Sequence, residues 1–315
     1  MVKRLKFYNK FNVSEIHKRS ILLIGNFDGF HLGHKKLFRL ANKYKKKLKL
    51  KIGVITFEPM PKMYFEKSLK NFRISNLNQK TRILKSLGID FVIIKKFDKK
   101  FSNISSINFI KNIIARKINP RIIFVSNNFR YGFNRTGNVK QLISRENIFN
   151  YKVINPSPLK KEKKIISSTL IRKLLQTGKL KSVNKLLGRE WEINGIVKKG
   201  RQFGKKLGFP TCNIDIKNYV LAKPGVYSVR VKFKKGEKIL KGIANLGYRP
   251  TFAGKKIILE VNLFNFSGNL YNKSLNVKFC SFIRAEKKFN SQQSLINQIK
   301  KDLKQAKIDL KKKYE

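Results

Sequence analysis

The sequence predicts two domains, an α/β domain around a parallel sheet and then an all-β domain followed by one C-terminal helix. Three observations predict this. Between Ser20 and about Gln141, short apolar runs alternate with amphipathic stretches of helix length, the pattern of strand–helix units that wind a parallel sheet. From Trp191 onward the periodicity shifts to short alternating segments, separated by Pro224-Gly225, Lys235-Gly236 and Gly268-Asn269. That marks antiparallel strands in a barrel or sandwich. After Ser291, the apolar residues Ile296, Ile299, Leu303, Ala306 and Leu310 recur on one helical stripe.

In chain order, strands are expected at 21–24, 52–57, 91–95, 122–125 and 151–154, with helices at 79–87 and 106–117. Residues 156–164 begin Pro156-Ser157-Pro158 and run into lysines, which breaks regular structure and predicts a mobile loop. Helices at 167–175 and 182–187 follow, the second stopped by Gly188. Further strands are expected at 192–197, 227–233, 240–245, 257–264 and 275–282. The boundary falls near Gly188, giving domains at 1–188 and 189–315. There is no internal repeat.

A chain of 315 residues with 41% hydrophobic and 11% aromatic content has enough apolar mass for two folded cores. Cys212 and Cys280 stand far apart without CxxC spacing, which gives neither a disulfide framework nor a zinc site and suits a reducing compartment. Apolar runs are too short to span a bilayer, and the basic start has no continuous apolar stretch behind it. A cytoplasmic protein with no membrane attachment is expected. The net charge of +56 attracts polyanions, yet only 16 of the 73 basic residues are arginine, the better fork for phosphate. Lysines are scattered through every segment beside abundant Asn, Ile and Phe, as in the product of an AT-rich genome. Non-specific nucleic-acid binding at low salt is expected, and no specific nucleic-acid partner.

Chemistry concentrates in Gly25-Asn26-Phe27-Asp28-Gly29-Phe30-His31-Leu32-Gly33-His34, between the strand at 21–24 and a helical run. Glycines at a strand-to-helix turn let backbone approach a phosphate, and the helix N-terminus adds a favourable field. Two histidines with only Leu32 and Gly33 between them can then stabilise charge on a phosphate in transfer. A metal pair is the competing reading. His17 is the one other histidine, and no Cys or carboxylate set nearby completes a shell. The pattern resembles the HxGH signature of nucleotidylyltransferases, and its GNFDG flank resembles the FAD synthetase branch. The resemblance implies that Gly25, Asn26, Phe27, Asp28 and Gly33 bind ATP and that His31 and His34 are catalytic.

Four further stretches resemble that family. Phe57-Glu58-Pro59-Met60-Pro61 is similar to FEPHP with Met60 for His, and Val125-Ser126-Asn127-Asn128-Phe129-Arg130-Tyr131-Gly132 to VGxDFRFG with Ser126 for Gly. These imply flavin or ligand contacts at Phe57, Pro59, Asn128 and Arg130. Arg135-Thr136-Gly137-Asn138 is similar to RxGD with Asn138 for Asp. Hydroxyls at a helix start, here Ser167-Ser168-Thr169, cap orphan amides and can also bind phosphate. An ordinary cap is the alternative. The resemblance implies ATP contacts at Ser167, Ser168 and Thr169, and a catalytic Arg172 on the β- and γ-phosphates. The implied transfer needs no protein nucleophile: FMN phosphate attacks the α-phosphate of ATP in line, helped by positioning, charge and Mg²⁺.

The second domain carries Gly200 and then Gly204-Lys205-Lys206-Leu207-Gly208-Phe209-Pro210-Thr211-Cys212-Asn213. Such glycines permit backbone to wrap phosphates, and Thr211 and Asn213 lie on one side of an extended segment as oxygen donors. The stretch resembles the riboflavin kinase signature, with Lys205 for Arg. It implies ATP contacts at Gly200, Gly204, Lys205, Gly208, Pro210, Thr211 and Asn213, and Mg²⁺ on Thr211 and Asn213. Gly242 to Phe252 is similar to GxxNxGxxPTF, and Leu259 to Phe266 to LEVHLFDF with Asn262 for His and Asn265 for Asp. Glu260 is an acid inside an apolar strand, costly to bury without purpose, and a general base is its natural role; a solvent-facing edge position is the alternative. Phe282 to Phe289 is similar to FIRxExKF, which implies flavin contacts at Arg284 and Glu286.

Motifs in family order run through both halves, and the chain resembles the bacterial bifunctional riboflavin kinase/FAD synthetases. That implies a Rossmann-like nucleotidylyltransferase domain and an antiparallel β-barrel kinase domain. Implied ligands are riboflavin, FMN, FAD and ATP, in a monomer or weak oligomer. Two alternatives stand beside it: one half active alone, with Met60, Lys205 and Asn262 the suspect substitutions, or a basic nucleic-acid-binding protein on a relic fold.

Overall fold

Six short strands rich in Ile, Val and Phe build the first sheet: β1 (Lys6–Tyr8), β2 (Ile21–Ile24), β3 (Ile52–Glu58), β4 (Phe91–Lys96), β5 (Ile122–Phe124) and β6 (Lys152–Ile154). The computed structural model describes residues 5–200, 203–216, 218–233, 238–251 and 254–311. Contacts group the chain into two units, Met1–Lys70 with Leu77–Ser167, and Asn71–Asn76 with Ser168–Glu315.

In the first unit the strand order is β1-β4-β3-β2-β5-β6, every neighbouring pair parallel. Helices cover both faces, so strand residues are buried whichever way they point. On one face Leu22, Ile24, Ile55 and Ile123 meet Phe109 and Ile110 of a helix over Phe109–Ile118. On the other, Ile21, Leu23, Val54 and Phe124 meet Leu37, Phe38 and Ala41 of α1 (Leu32–Leu48). Gly53 stands opposite Phe91 in the ladder, and a Cβ there would lie 2.0 Å from the phenyl ring. β3 and β4 lie to one side of β2, β5 and β6 to the other. The order therefore reverses at β2/β5, and ligands of such sheets bind outside the strand C-termini at that point.

Sequence and structure agree on the parallel sheet and differ in detail. β1 was not expected: its three residues carry no alternation and two of them are exposed. The expected helix at 106–117 is a single turn, Ser106–Asn108, continued over Phe109–Ile118 with wider turns, as the bond from Asn119 N to Ile114 O shows. The expected loop at 156–164 ends in a hairpin, Lys160–Lys161 against Lys164–Ile165. Its turn residues Glu162 and Lys163 both have positive φ, 48° and 60°, without the Asn-Gly pair that would announce such a turn.

The second unit begins with α2 (Ser168–Gln176) and α3 (Leu180–Leu187). Six strands follow: β7 (Trp191–Lys198), β8 (Cys212–Asp215), β9 (Gly225–Lys232), β10 (Leu240–Thr251), β11 (Gly254–Leu263) and β12 (Ser274–Ala285). They close antiparallel in the order β7-β8-β11-β10-β9-β12. Closure decides for the barrel over the sandwich. Trp191, Tyr227 and Phe279 fill its interior, with ring centroids 4.7 and 5.1 Å apart. The tail helix α4 (Gln292–Lys311) lays Leu303 and Ala306 on Val226 and Ile243.

The segment Asn71–Asn76 is held in this unit by backbone. Phe72 N and Arg73 N donate to Asn218 O, Val220 N donates to Arg73 O, and the Trp191 indole donates to Ile74 O at 3.0 Å. By contacts, α2 and α3 group with the barrel, whereas the sequence placed its boundary after them, near Gly188.

Candidate active sites

The histidine turn sits where β2 runs into α1. His31 is the N-cap of α1, and its Nδ1 accepts the backbone N–H of His34 at 3.3 Å. An accepting Nδ1 carries no proton, so in the neutral ring the proton is on Nε2, a donor. The two imidazoles stack with centroids 3.7 Å apart and planes 19° from parallel. Phe27 and Phe30 pack against His34 at 5.3 and 6.0 Å, and both hold positive φ, 47° and 43°. Asp28 is buried. A Cβ on Gly33 would meet Ile166 O at 3.2 Å, so glycine permits the approach of the strand that leads into Ser167. Asn26 Oδ1 is buried with no hydrogen-bond partner among the described residues.

The other loops at this edge of the sheet hold the remaining residues expected there. Phe57 stacks on Phe101 at 5.6 Å, and Pro59 follows a cis peptide bond from Glu58. After β5, Ser126 Oγ donates to Asn128 Oδ1 at 3.0 Å, and Asn128 and Arg130 are exposed. Asn138, which replaces an Asp of the resembled motif, caps the next helix by accepting Gln141 N at 3.0 Å. Met60 is buried at the start of a five-residue helix. Among the described residues no group of three or more His, Cys, Asp and Glu is placed to hold a metal.

Ser168, Thr169 and Arg172 belong to the second unit, on α2. The Arg172 guanidinium lies 3.6 Å over the Phe72 ring, and Nε donates to Phe72 O at 2.8 Å.

In the second unit, one cavity of about 660 Å³ gathers residues from both the barrel and α4. Its polar wall includes Gly204, Thr211, Asn213, Asn245, Glu260 and Glu286; its apolar wall includes Val226, Ile243, Leu295, Ile299 and Leu303. Barrel register brings Glu260 on β11 beside Asn213 on β8 and Asn245 on β10. Asn213 Oδ1 is buried without a hydrogen-bond partner among the described residues, and a Cβ on Gly200 would lie 2.0 Å from its Nδ2. Cys212, between the two cavity residues, points the other way; its thiol donates to Val261 O at 3.4 Å, and burial pushes its pKa up to about 11. Asn262 Nδ2 donates to Pro210 O at 2.7 Å and pins the segment that carries Thr211.

Comparison with known proteins now bears on both units. The family model described as FAD synthetase matches residues 13–170, and that described as riboflavin kinase matches residues 187–310. Proteins named bifunctional riboflavin kinase/FMN adenylyltransferase align nearly end to end. The one from Buchnera aphidicola subsp. Schizaphis graminum is 40% identical over 308 residues, covering 96% of each chain. That from Haemophilus influenzae is 36% identical over 94% of this chain and 96% of its own, and that from Escherichia coli K12 is 34% identical over 90% of each. The chain belongs to the bifunctional riboflavin kinase/FMN adenylyltransferase family. A solved structure from Streptococcus pneumoniae, described as a macrolide-efflux protein, shares its fold with a TM-score of 0.81 at 29% identity, over 94% of this chain and 96% of that one. Among the described residues no helix is long and apolar enough to cross a membrane.

The protein is thus a riboflavin kinase and FMN adenylyltransferase that uses ATP as co-substrate. Of the kinase residues expected from sequence, Gly204, Thr211, Asn213, Glu260, Arg284 and Glu286 all line the one cavity. Gly208 takes a φ of 84° without lining it. The Lys205 side chain and Phe252 lie outside the described residues. Asn245 and Asp302 are among the cavity residues that the sequence reading missed. Asn245 was visible inside the GxxNxG match but was assigned no part. Asp302 falls on the apolar stripe of α4, four residues before Ala306, and an acid at that position in so basic a chain was the available signal.

Proposed function

We propose that the two reactions are divided between the two residue sets just described. The observation that carries the kinase assignment is Glu260 standing between Asn213 and Asn245 in the wall of the cavity. As general base, Glu260 takes the proton of the riboflavin hydroxyl, whose oxygen attacks the γ-phosphorus of ATP while the bond to ADP breaks. The apolar wall of Val226, Ile243, Leu295 and Ile299 suits the flat flavin ring. Thr211 and Asn213 would hold Mg²⁺. The orphaned buried Asn213 Oδ1 supports this, since a hard cation takes oxygen donors. When bound, Mg²⁺ neutralises charge on the nucleotide phosphates.

Adenylyl transfer is assigned to the stacked His31 and His34. An oxygen of the FMN phosphate attacks the α-phosphorus of ATP, and the bond to pyrophosphate breaks. His31 Nε2–H and the α1 N-terminus donate to the oxygens that gain charge. Ser167, at the end of the first unit, supplies a further nucleotide contact. Arg172 is engaged by Phe72, and the transfer step is assigned to the histidines.

The reading extends to a cytoplasmic monomer or weak oligomer without a specific nucleic-acid partner. Free Cys212 and Cys280 and the even scatter of lysine support it. The experiment is direct: supply riboflavin, ATP and Mg²⁺, and follow FMN and FAD by chromatography. FMN is expected first, then FAD and pyrophosphate. FMN without FAD, even when FMN is supplied, would leave the kinase as the one working half.

A further inference from the structure

Lys80 is a lysine with a side chain only 1% exposed, in the first unit on the helix Leu77–Ser86. An ammonium ion so deeply buried needs partners, and two are at the C-terminal end of β3. Its Nζ donates to Thr56 Oγ1 at 3.0 Å and stands 3.6 Å from Glu58 Oε1. Thr56 and Glu58 are two residues apart on the strand and so share a face.

An ammonium group only donates, so the Thr56 hydroxyl must send its own proton elsewhere. Its acceptor is Asn26 O, at 3.4 Å. The donors therefore run in one direction, from Lys80 to Thr56 to the Asn26 carbonyl. In a trans peptide the carbonyl and the following N–H point opposite ways. With Asn26 O turned toward β3, the Phe27 N–H is directed away from it. This peptide belongs to the turn that carries His31 and His34, and Phe27 keeps its positive φ there.

We propose that Lys80 is a positioning residue of the adenylyl-transfer site. It acts through Thr56 to fix the Asn26–Phe27 peptide, so that its N–H meets the ATP phosphates. Glu58 holds the ammonium at the inner end of this line. The inference rests on assigning adenylyl transfer to the histidine turn.

The test is a double-mutant cycle of Lys80→Met and Thr56→Val, with Thr56→Ser as the conservative variant. FAD formation from FMN is measured as kcat and KM, and FMN formation from riboflavin is the internal control on the same molecules. Each single substitution is expected to lower kcat for FAD formation on the order of tenfold to a hundredfold, the range for a misplaced group. KM for FMN should change little and kinase activity should be retained. The double variant should be no worse than Lys80→Met, and Thr56→Ser should recover most of the rate. Losses that multiply in the double variant, a Thr56→Val enzyme of normal kcat, or a Thr56→Ser enzyme as slow as Thr56→Val would each overturn the proposal. If Lys80→Met does not fold, Thr56→Val against Thr56→Ser decides alone. His31→Ala separates this from the underlying assignment: undiminished FAD synthesis in that variant would remove the site itself, whatever Lys80 does.

Discussion

Arg284 of β12 and Asp302 of α4 form a fork-to-fork ion pair in the wall of the kinase cavity. Arg284 Nε donates to both carboxylate oxygens at 3.0 and 2.9 Å, and a terminal nitrogen lies 2.8 Å from Oδ2. Gln298 adds a donor to Oδ1 at 2.9 Å. The pair joins tail helix to barrel and holds the guanidinium beside the cavity. Asp302→Asn keeps the shape and removes the charge. Breaking a buried pair costs about 3–5 kcal/mol, and with Arg284 partly exposed the loss should fall near the low end. Urea unfolding measures it, and KM for riboflavin should rise more than kcat falls. Unchanged stability would mean that water replaces the carboxylate at no cost.

Glu260→Gln should stop FMN formation while leaving conversion of supplied FMN to FAD. Loss of a general base costs ~10²–10⁴ in rate. The amide keeps the cross-strand position beside Asn213 and Asn245, so the barrel should remain folded by circular dichroism. Full kinase activity would return Glu260 to a purely structural place in β11.

His31→Ala and His34→Ala should do the reverse, with FMN accumulating from riboflavin and FAD formation lowered ~10²–10³-fold, as for loss of one charge-stabilising donor. Chromatography of the products distinguishes the two variants from Glu260→Gln. Loss of both products from a folded His31→Ala protein would show that the reactions were divided wrongly.

His17 gives the first unit a pH dependence. Its Nδ1 is bonded to the hydroxyls of Tyr8 at 2.7 Å and Ser14 at 3.1 Å, and the ring lies 4.5 Å from Phe91. Burial lowers its pKa from 6.5, against the pull of Asp90. The unfolded chain therefore binds the proton more readily than the folded one. The stabilisation is present above pH 6.5 and is lost as pH falls through the lower folded value. Thermal unfolding across this window should show the melting temperature falling with pH, and His17→Gln should flatten that slope. An equal slope in the variant would assign it to other groups.

The residues proposed for both sites stand out in the sequence because they are sequence-local. The histidine turn occupies ten consecutive positions, and Thr211 and Asn213 sit two apart on one extended segment. β2 was legible in full because burial on both faces leaves an unbroken apolar run. What escaped notice depends on distant partners. β8 is four residues long, and its pairing with β7 and β11 gives it a place that its composition does not. Asn71–Asn76 has no periodicity, since it is held through backbone atoms that every sequence possesses. Lys80 looks like a surface charge on an amphipathic helix, and Asp302 interrupts an apolar stripe without showing what it meets. Only the partners at Thr56, Glu58 and Arg284 reveal them as buried.

Asn71–Asn76 also sets how the gene product can be divided. The chain leaves the first unit after Lys70, gives six residues to the second and returns at Leu77. Three peptide links thus tie the halves together, and a single scission near residue 167 releases neither one whole. A kinase fragment begun at Gly188 would lack the acceptor of the Trp191 indole and the backbone partners of Asn218 and Val220. The two enzymes are laced as well as fused, and the second carries a stitch of the first one's stretch of sequence.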